Sequence, residues 1–343
     1  MSEATFWSAE ERMERLKRYP SVLDELQRCI NFEEFRPLLQ RVRKPSPLGG
    51  RPPWDEVLMF KVLILKELYG LSDDSLEQMI VDRLSVMRFL GQGMGDAPPD
   101  AKTIHHFREQ LTQAGLIVPL FKCFDEQLEK RGLTAKKGSM VDAQIVESRR
   151  FHEREQDRKK RTNAPLVPKQ RTPEQLQRCA SQTDEDAQWT KKHRRSYFGY
   201  KNHMAVDVKH KLIREYVVST AEVHDSQRLK EVLGVLVGKN SSRDVYADSA
   251  YGGAPQLEWL KEKQYRPRVC AKGVRGHPLT EREKQANRNK SKVRARCEHV
   301  FGMMVTLGSA VLRSVGIKRT EWTIGARNLL YNMRRYCYLV RAV

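Results

Sequence analysis

The pattern of apolar residues changes near residue 137, and this change constrains the fold of the chain more than any other feature. Before it, apolar residues recur at three- and four-residue steps, a spacing that predicts helices. After it, GSMVDAQIVESRR has the composition of a buried strand, and YFGYKNHMAVDV and KLIREYVVSTAEV alternate as the two strands of an antiparallel hairpin do. Shorter strands are predicted at RDVYADSAYGG and YRPRVCAK, with a helical segment between them. The sequence therefore predicts an all-helical first third followed by an α/β domain.

The chain is strongly basic. Its 343 residues include 63 Lys and Arg against 43 Asp and Glu, which gives a formal net charge of +20. An excess of this size attracts polyanions, either a nucleic acid or an acidic membrane surface. No apolar run approaches the roughly 20 residues that span a bilayer, and the N-terminal sequence lacks the apolar core of a signal peptide. We therefore expect a soluble, intracellular protein that binds nucleic acid and keeps its scattered cysteines reduced.

These patterns predict three regions. A Pro- and Gly-rich loop, PSPLGGRPPW, separates an N-terminal helical region at 1–48 from a helix-turn-helix-like DNA-binding domain at 49–132. The α/β domain follows at 133–343. After its first strand it carries a polar, basic insertion at about 149–195 that has little to bury, with a weak helix over 171–192.

Helix-capping residues mark the predicted starts and ends of the helices in the DNA-binding domain. One helix begins near Asp55 and ends at Gly70, and the next begins at the capping residue Ser72 and continues through Val86. Asp100 precedes a further helix whose first turns are basic, which suits insertion into a DNA major groove, although an ordinary solvated face has the same pattern. The candidate DNA contacts on this helix and on the preceding loop are Arg51, Lys102, Thr103, His105, His106 and Arg108.

Two further helices are predicted late in the α/β domain. Asp225 is expected to cap the first of them, DSQRLKEVLGVLVG. A long basic segment from Gly273 to Lys292 leads into the second, VRARCEHVFGMMVTLGSAV.

Three carboxylates stand at informative positions in the α/β domain. Asp142 lies within an apolar strand, Asp248 ends the strand VYAD before a Gly-containing turn, and Glu298 lies among apolar residues of a helix. Each alone is explained by a salt bridge to one of the many arginines, because buried carboxylates are usually paired or bound to cations. Together, with no His or Cys cluster beside them, they favour two Mg²⁺ or Mn²⁺ ions. Such a pair of ions supports displacement at a phosphodiester.

At these residues the sequence resembles the DDE transposases of bacterial insertion sequences, and within them the insertion sequence 5 group. MVDAQIVES resembles the family's opening strand, which ends in the first catalytic Asp. Asp248, Tyr251 and Gly253 match its D-x-x-Y-x-G pattern, and Arg294 and Glu298 match its Arg and Glu four residues apart on a helix. The resemblance runs from about residue 49 to the end of the chain and includes the helical DNA-binding region.

The resemblance implies a ribonuclease H-like catalytic core, a mixed five-stranded sheet with flanking helices. It also implies that Asp142, Asp248 and Glu298 are the catalytic residues and hold two divalent metal ions, Mg²⁺ or Mn²⁺.

The match is incomplete around the third acid. Related transposases place a Tyr seven residues before the Glu and a Lys or Arg seven after it, where this chain has Ser291 and Val305. Their role in gripping DNA is expected to pass to neighbouring basic residues, and basic residues of the hairpin are expected to face DNA, although a plain surface strand explains those equally well. These further candidate DNA contacts are Lys201, His203, Tyr251, Lys290, Lys292, Arg294 and Arg296.

The function implied is that of a metal-dependent DNA transposase. It would bind the terminal inverted repeats of its insertion sequence, cleave the ends and join each 3′-hydroxyl to target DNA, as a dimer or larger synaptic complex in the bacterial cytoplasm, at the nucleoid. Two other classes of protein share these features. A catalytically idle, transposase-derived DNA-binding regulator would keep the charge without requiring the acids, and a metal-dependent endonuclease would share the acids without joining strands.

Overall fold

The computed structural model describes most of the chain, in two compact units. The described residues are 11, 14–15, 18–42, 52–148, 172–174, 177, 184–192, 194–273, 278–306 and 311–341. One unit comprises Met1–Gln127 with Leu329–Val343, and the other comprises Leu128–Asn328. The region predicted at 1–48 thus falls in the same unit as the domain predicted at 49–132, and the end of the chain joins them. No helix among the described residues is long and apolar enough to cross a membrane.

The first unit is built from helices. They are α1 (Val22–Cys29), α2 (Arg36–Leu39), α3 (Glu56–Tyr69), α4 (Asp73–Asp82), α5 (Leu84–Leu90), α6 (Ala101–Gln113) and α7 (Ile117–Lys130), whose last residues pass into the second unit, with 3-10 turns at Phe32–Phe35 and Gln40–Val42.

The capping residues predicted from the sequence begin and end these helices. The Asp55 carboxylate accepts the N–H of Leu58 at 2.9 Å, the Ser72 hydroxyl accepts that of Ser75 at 3.1 Å, and Asp100 accepts that of Thr103 at 2.6 Å. Gly70, at φ 64°, ends α3 in the left-handed conformation that glycine adopts without strain. The predicted starts of α3, α4 and α6 are therefore confirmed.

The second helix of this unit is shorter than predicted. It ends at Asp82, and α5 begins at Leu84, because Arg83 adopts an extended backbone with φ −113° and ψ 108°. The break lets Ile80 before it and Val86 after it both be buried. The prediction of one continuous helix through Val86 was wrong, since periodicity alone does not reveal a one-residue break.

Aromatic rings from distant parts of the chain fill the core of the first unit. Phe35 lies 5.0 Å from Phe60 and 6.5 Å from Phe124, measured between ring centroids. Phe124 in turn lies 6.3 Å from Tyr336, on the second half of the last helix, α11 (Ile317–Arg341). The last helix thus contributes Tyr336 to this aromatic core.

The second unit contains a mixed β-sheet. Its strands are β1 (Ser139–Ser148), β2 (Gln188–Lys192), β3 (Arg195–Asp207), β4 (Ile213–Thr220), β5 (Asp244–Ala247), β6 (Arg266–Val269) and β7 (Val311–Leu312). β3 runs antiparallel to β1, β2 and β4, whereas β1 is parallel to β5 and β7, and β5 is parallel to β6.

The seven described strands occupy five positions across the sheet. β2 and β4 pair with successive parts of one edge of β3, and β5 and β7 pair with opposite ends of one edge of β1. The order is therefore β2 or β4, β3, β1, β5 or β7, β6. The predicted hairpin of β3 and β4 and the α/β class are confirmed, and the predicted five-stranded sheet gains two short strands.

Helices cover both faces of this sheet. They are α8 (Leu229–Gly234), α9 (Ala254–Glu262), α10 (Glu281–Thr306) and the first half of α11, with 3-10 turns at Asp225–Arg228 and Ser249–Tyr251. Val141 and Ala205 share a buried cluster with α8, α9 and Tyr251 on one face. Because side chains alternate along a strand, Asp142 points to the opposite face, where α10 lies.

Four predictions about segments of this unit need correction or fall outside what is described. The weak helix predicted within 171–192 is wrong at its end, where β2 pairs with β3 instead. Asp225 does not cap the helix that follows, because the His224 side chain accepts the N–H of Ser226 there. α10 begins at Glu281 inside the segment predicted only as basic, and α11 was not predicted. Residues 149–171, most of the basic insertion, lie outside the described residues.

Candidate active site

Asp142 lies in the middle of β1, the central strand of the sheet. It pairs with Met204 of β3, between buried Val141 and Ala143. The backbone N–H of Ala143 donates to its Oδ1 at 2.9 Å. The local sequence thus places a carboxylate between two buried apolar residues of the strand and fixes one of its two oxygens.

Asp248 lies next to Asp142 at the end of the neighbouring strand. β1 and β5 are parallel, with Met140 opposite Tyr246, so two residues further along both strands the two acids come side by side. Asp248 caps the 3-10 turn Ser249–Tyr251, with its Oδ1 accepting the N–H of Ala250 at 2.8 Å. Each acid therefore has one oxygen bound by the backbone.

The second oxygen of each acid faces the same cation. Nη1 of Arg294 lies 3.7 Å from Oδ2 of Asp142 and 3.8 Å from Oδ2 of Asp248. Burial raises the pKa of Asp142 to about 6, with the charge of Asp248 adding to the increase and the Ala143 N–H and Arg294 opposing it. A pair of carboxylates that disfavours its own ionisation in this way is a place where a cation is stabilising.

Glu298 lies one helical turn after Arg294 on α10. Cys297, Val300 and Met304 anchor this part of the helix, and burial, with the nearby Asp142 charge, raises the pKa of the Cys297 thiol. The side chain of Glu298 is exposed. Within the described parts of the chain no three His, Cys, Asp or Glu side chains are arranged to hold a metal ion as they stand. The structure therefore brings Asp142 and Asp248 together at Arg294 and leaves Glu298 one turn away on the same helix.

The chemistry of this donor set fits a divalent cation. Oδ2 of Asp142 and Oδ2 of Asp248 are hard oxygen donors turned toward one positive charge, as Mg²⁺ and Mn²⁺ require. In this structure the guanidinium of Arg294 supplies that positive charge.

The predicted DNA contacts differ in how far they are exposed and in whether they already have partners within the protein. Lys102, His105 and His106 are exposed on α6, and Lys292 and Arg296 are exposed on α10, whereas Thr103 is half-buried and Arg51 lies outside the described residues. Arg108 is paired with Asp73 at 2.6 Å, with only 16% of its side chain exposed. Lys290 donates to the carbonyl of Val269 at 2.7 Å.

The expectation that Lys201, His203 and Tyr251 face the surface was wrong. Their exposed fractions are 8%, 1% and 1%, because the inward face of β3 and the end of the 249–251 turn pack under α8 and α9. Lys201 forms an ion pair with Asp225 at 2.9 Å, and Nε2 of His203 lies 2.8 Å from the Ser219 hydroxyl. Burial lowers the pKa of His203 to about 4.

The sequence interpretation missed this buried polar group and the position of Arg294 between the acids. One signal was available for the first. Lys201, His203 and Ala205 occupy alternate positions of a strand, so the burial expected for Ala205 applies to all three. The bridging by Arg294 depends on how α10 lies over the sheet, which no local pattern specifies.

Comparison with known proteins identifies two matches along the chain. Residues 134–333 match the family described as Transposase DDE domain. Residues 10–110 match the family described as Transposase domain (DUF772). A cryo-EM structure of a piggyBac transposase synaptic complex with hairpin DNA is 13% identical in sequence, with a TM-score of 0.43, over 94% of this chain and 74% of that one.

Proposed function

This chain belongs to the DDE transposase family, whose members cut and transfer DNA from a ribonuclease H-like domain, and we propose that it mobilises a bacterial insertion sequence of the insertion sequence 5 group. In this proposal it binds the terminal inverted repeats in the bacterial cytoplasm, at the nucleoid, cleaves the ends and joins them to target DNA.

One observation carries the proposal. Asp142 and Asp248 lie on adjacent parallel strands, with their outward oxygens within 3.7 and 3.8 Å of a single cationic nitrogen. Two carboxylates held at one positive charge are what an ion-assisted reaction at phosphate requires. A regulator that only binds DNA has no use for them.

Asp142, Asp248 and Glu298 would hold the divalent ions, Mg²⁺ or Mn²⁺. Bound there, the ions would act as Lewis acids toward the attacking and leaving oxygens of the phosphodiester. The backbone N–H groups of Ala143 and Ala250 fix one oxygen of each Asp and leave the other free to bind. Arg294 faces the other oxygen of both carboxylates, and once ions are bound its guanidinium would be free to pair with a DNA phosphate.

Other basic residues would bind DNA, and their positions suggest which part of the DNA each would contact. Lys292 and Arg296, exposed on α10 beside the acids, would bind the phosphates next to the cleaved bond. Lys102, His105 and His106, exposed on α6 in the other unit, would bind the terminal repeat. Water first attacks the phosphodiester at the element's end and releases a 3′-hydroxyl, which then attacks target DNA, and each attack breaks one P–O bond as it forms another. Both ends react within a synaptic dimer or larger assembly.

The proposal is tested with labelled DNA carrying the ends of the element, in the presence of Mg²⁺. We expect the wild type to give both a cleaved 3′-end and a joined product, and Asp142→Asn, Asp248→Asn and Glu298→Gln to give neither while still binding DNA. Glu262→Gln is the matched control, because Glu262 is an exposed acid of α9 whose ion pair in the described part of the chain is with its neighbour Lys263. Binding without cleavage by the wild type would identify a regulator, and cleavage without joining would identify an endonuclease.

A further inference from the structure

The turn that carries Asp248 rests on a second turn of the same kind. The 3-10 turns Asp225–Arg228 and Ser249–Tyr251 pack against each other on the face of the sheet opposite Asp142. Because Asp248 caps the second turn with its Oδ1, any shift of this turn moves the other oxygen of Asp248 as well. The position of the Asp225–Arg228 turn therefore affects how Asp248 is placed relative to Asp142.

A buried ion pair fixes the supporting turn. Nζ of Lys201 lies 2.9 Å from Oδ1 of Asp225 and donates to the carbonyl of Val223 at 2.7 Å. Asp225 is available for this pair because His224 takes the capping role. Only 10% of the Lys201 side chain and 27% of the Asp225 side chain are exposed.

Tyr251 links the Asp248 turn to α8, the helix that follows the supporting turn. It ends the Asp248 turn, is 1% exposed, and packs in the cluster that contains Leu229 and Val232 of α8. Its hydroxyl has no hydrogen-bond partner among the described residues. Burial raises the pKa of Tyr251 well above 10, and the Asp225 carboxylate is the largest charge contributing to that rise.

Asp225 thus lies at the centre of a group of polar side chains. Its charge also favours protonation of His203, on the same face of β3 as Lys201. A partly buried ion pair costs desolvation energy, and an apolar pair of the same size often stabilises a core as much or more. The group is therefore better explained by a requirement for fixed geometry than by stability.

We propose that Asp225, held in place by Lys201, is a positioning residue for Asp248 and acts through the two packed turns and Tyr251. The inference rests on the proposed function, since it concerns the same metal-binding acids. It reassigns Lys201 and Tyr251 from DNA contacts to supports of the acid that binds the ion. Side chains that orient a metal ligand without touching the metal change affinity or activity by roughly 10- to 100-fold when removed.

The test measures Mn²⁺ binding to the full-length chain by electron paramagnetic resonance, alongside DNA binding and thermal unfolding. We expect Asp225→Asn and Lys201→Met to weaken Mn²⁺ binding about tenfold or more, with DNA binding unchanged. Lys201→Arg keeps a cation for Asp225 and is expected to retain wild-type affinity. Tyr251→Phe removes only the hydroxyl and is expected to weaken binding less, and it serves as the milder variant if the others unfold.

Lys66→Met is the matched control. Lys66 forms an ion pair of the same type with Asp73 at 2.7 Å, with 16% of its side chain exposed, in the other unit. Its removal is expected to lower the unfolding temperature without altering Mn²⁺ affinity.

The outcomes separate this inference from the proposed function. Wild-type Mn²⁺ affinity in folded Asp225→Asn and Lys201→Met would overturn the inference, as would a loss that Lys66→Met reproduces. Weakened Mn²⁺ binding in the variants, beside a wild type that binds Mn²⁺ and cuts no DNA, would support the inference and refute the proposed function. A wild type that binds no Mn²⁺ would overturn both.

Discussion

Each carboxylate of the Asp142–Asp248 pair faces one backbone N–H and one guanidinium. The N–H groups of Ala143 and Ala250 hold one oxygen of Asp142 and Asp248, and Arg294 faces the other. Like charges at this separation repel, and burial strengthens the repulsion because it removes solvent screening. Arg294 therefore stabilises the pair whenever no metal ion is bound.

Replacing Arg294 should make stability depend on metal. We expect Arg294→Met to lower the free energy of unfolding by about 1 kcal/mol in the presence of EDTA, because the two acids lose their shared cation. Mg²⁺ should then stabilise the variant more than it stabilises the wild type. Urea denaturation with and without Mg²⁺ measures both effects, and the exposed Lys292→Met is the control. Equal stabilisation of variant and wild type by Mg²⁺ would contradict the expectation.

His203 should make stability fall in acid. Its pKa is about 4 in the folded chain against an ordinary value of 6.5, because burial disfavours its charged form. The unfolded chain binds this proton as pH falls through 6.5 while the folded chain does not until about 4, so stability from neutral histidine is present above 6.5 and lost toward 4. The loss amounts to roughly 3 kcal/mol.

The substitution His203→Asn should flatten this part of the pH profile. Urea denaturation at several pH values between about 6.5 and 4 measures the slope. His106→Asn, at an exposed position of α6, is the control and should leave the slope unchanged. A wild-type slope in His203→Asn would show that other groups cause the acid sensitivity.

At the scale of the elements, short sequence patterns correctly predicted the strands and helix starts that depend on neighbouring residues. Period-two alternation located β3 and β4, and capping side chains located the starts of α3, α4 and α6. Asp142 and Asp248 were identifiable because strand pattern and turn chemistry lie within a few residues of each. Three features were not predicted. The strand β2 pairs with the adjacent β3, but QWTKK is too short and polar to show a strand pattern. The inward face of Lys201 was readable from the alternation of β3, whereas the place of α11 depends on partners distant in sequence, such as Phe124 beside Tyr336.

A close approach between β1 and β5 gives an element-scale prediction. Gly138, at φ 93°, precedes β1, and a Cβ atom there would lie 2.5 Å from the carbonyl oxygen of Asp244 at the start of β5. Gly138→Ala should push the two acid-bearing strands apart, destabilise the chain by about 2 kcal/mol or more, and weaken Mn²⁺ binding. Gly302→Ala, which meets nothing within 4 Å on α10, should be neutral or slightly stabilising. Thermal unfolding and Mn²⁺ titration of both variants decide the matter, and unaltered Mn²⁺ affinity in Gly138→Ala would count against the role given to this strand contact.

At the scale of the whole molecule, the net charge of +20 fits a polyanionic partner. Part of the excess lies on the long helix α10, where Arg282, Arg288, Lys292 and Arg296 are exposed. The helix is held to the loop after β6 by two hydrogen bonds between the Asn287 side chain and the backbone of Ala271, each 2.9 Å long. Basic side chains on a fixed helix beside the acids are well placed for a DNA backbone.

DNA affinity should depend less on salt when α10 loses charge. We expect Arg288→Ala combined with Lys292→Ala to make the slope of log affinity against log salt less negative by about 2, since each lost phosphate contact contributes about 0.9. The decrease should be similar for specific and unrelated duplexes. Fluorescence anisotropy across a salt series measures the slope. The same double change at Lys261 of α9 and at Lys263, which follows that helix, is the charge-matched control, and an equal effect there would mean that only net charge matters.

Arg294 has one more consequence, which concerns the order of events in the life of the protein. A pair of acids that carries its own counterion can take up its arrangement during synthesis, before any ion arrives. If the site binds ions as proposed, they would replace this guanidinium, and Arg294 would then be free to pair with another anion. A DNA phosphate beside the acids would compete with Asp142 and Asp248 for the same arginine.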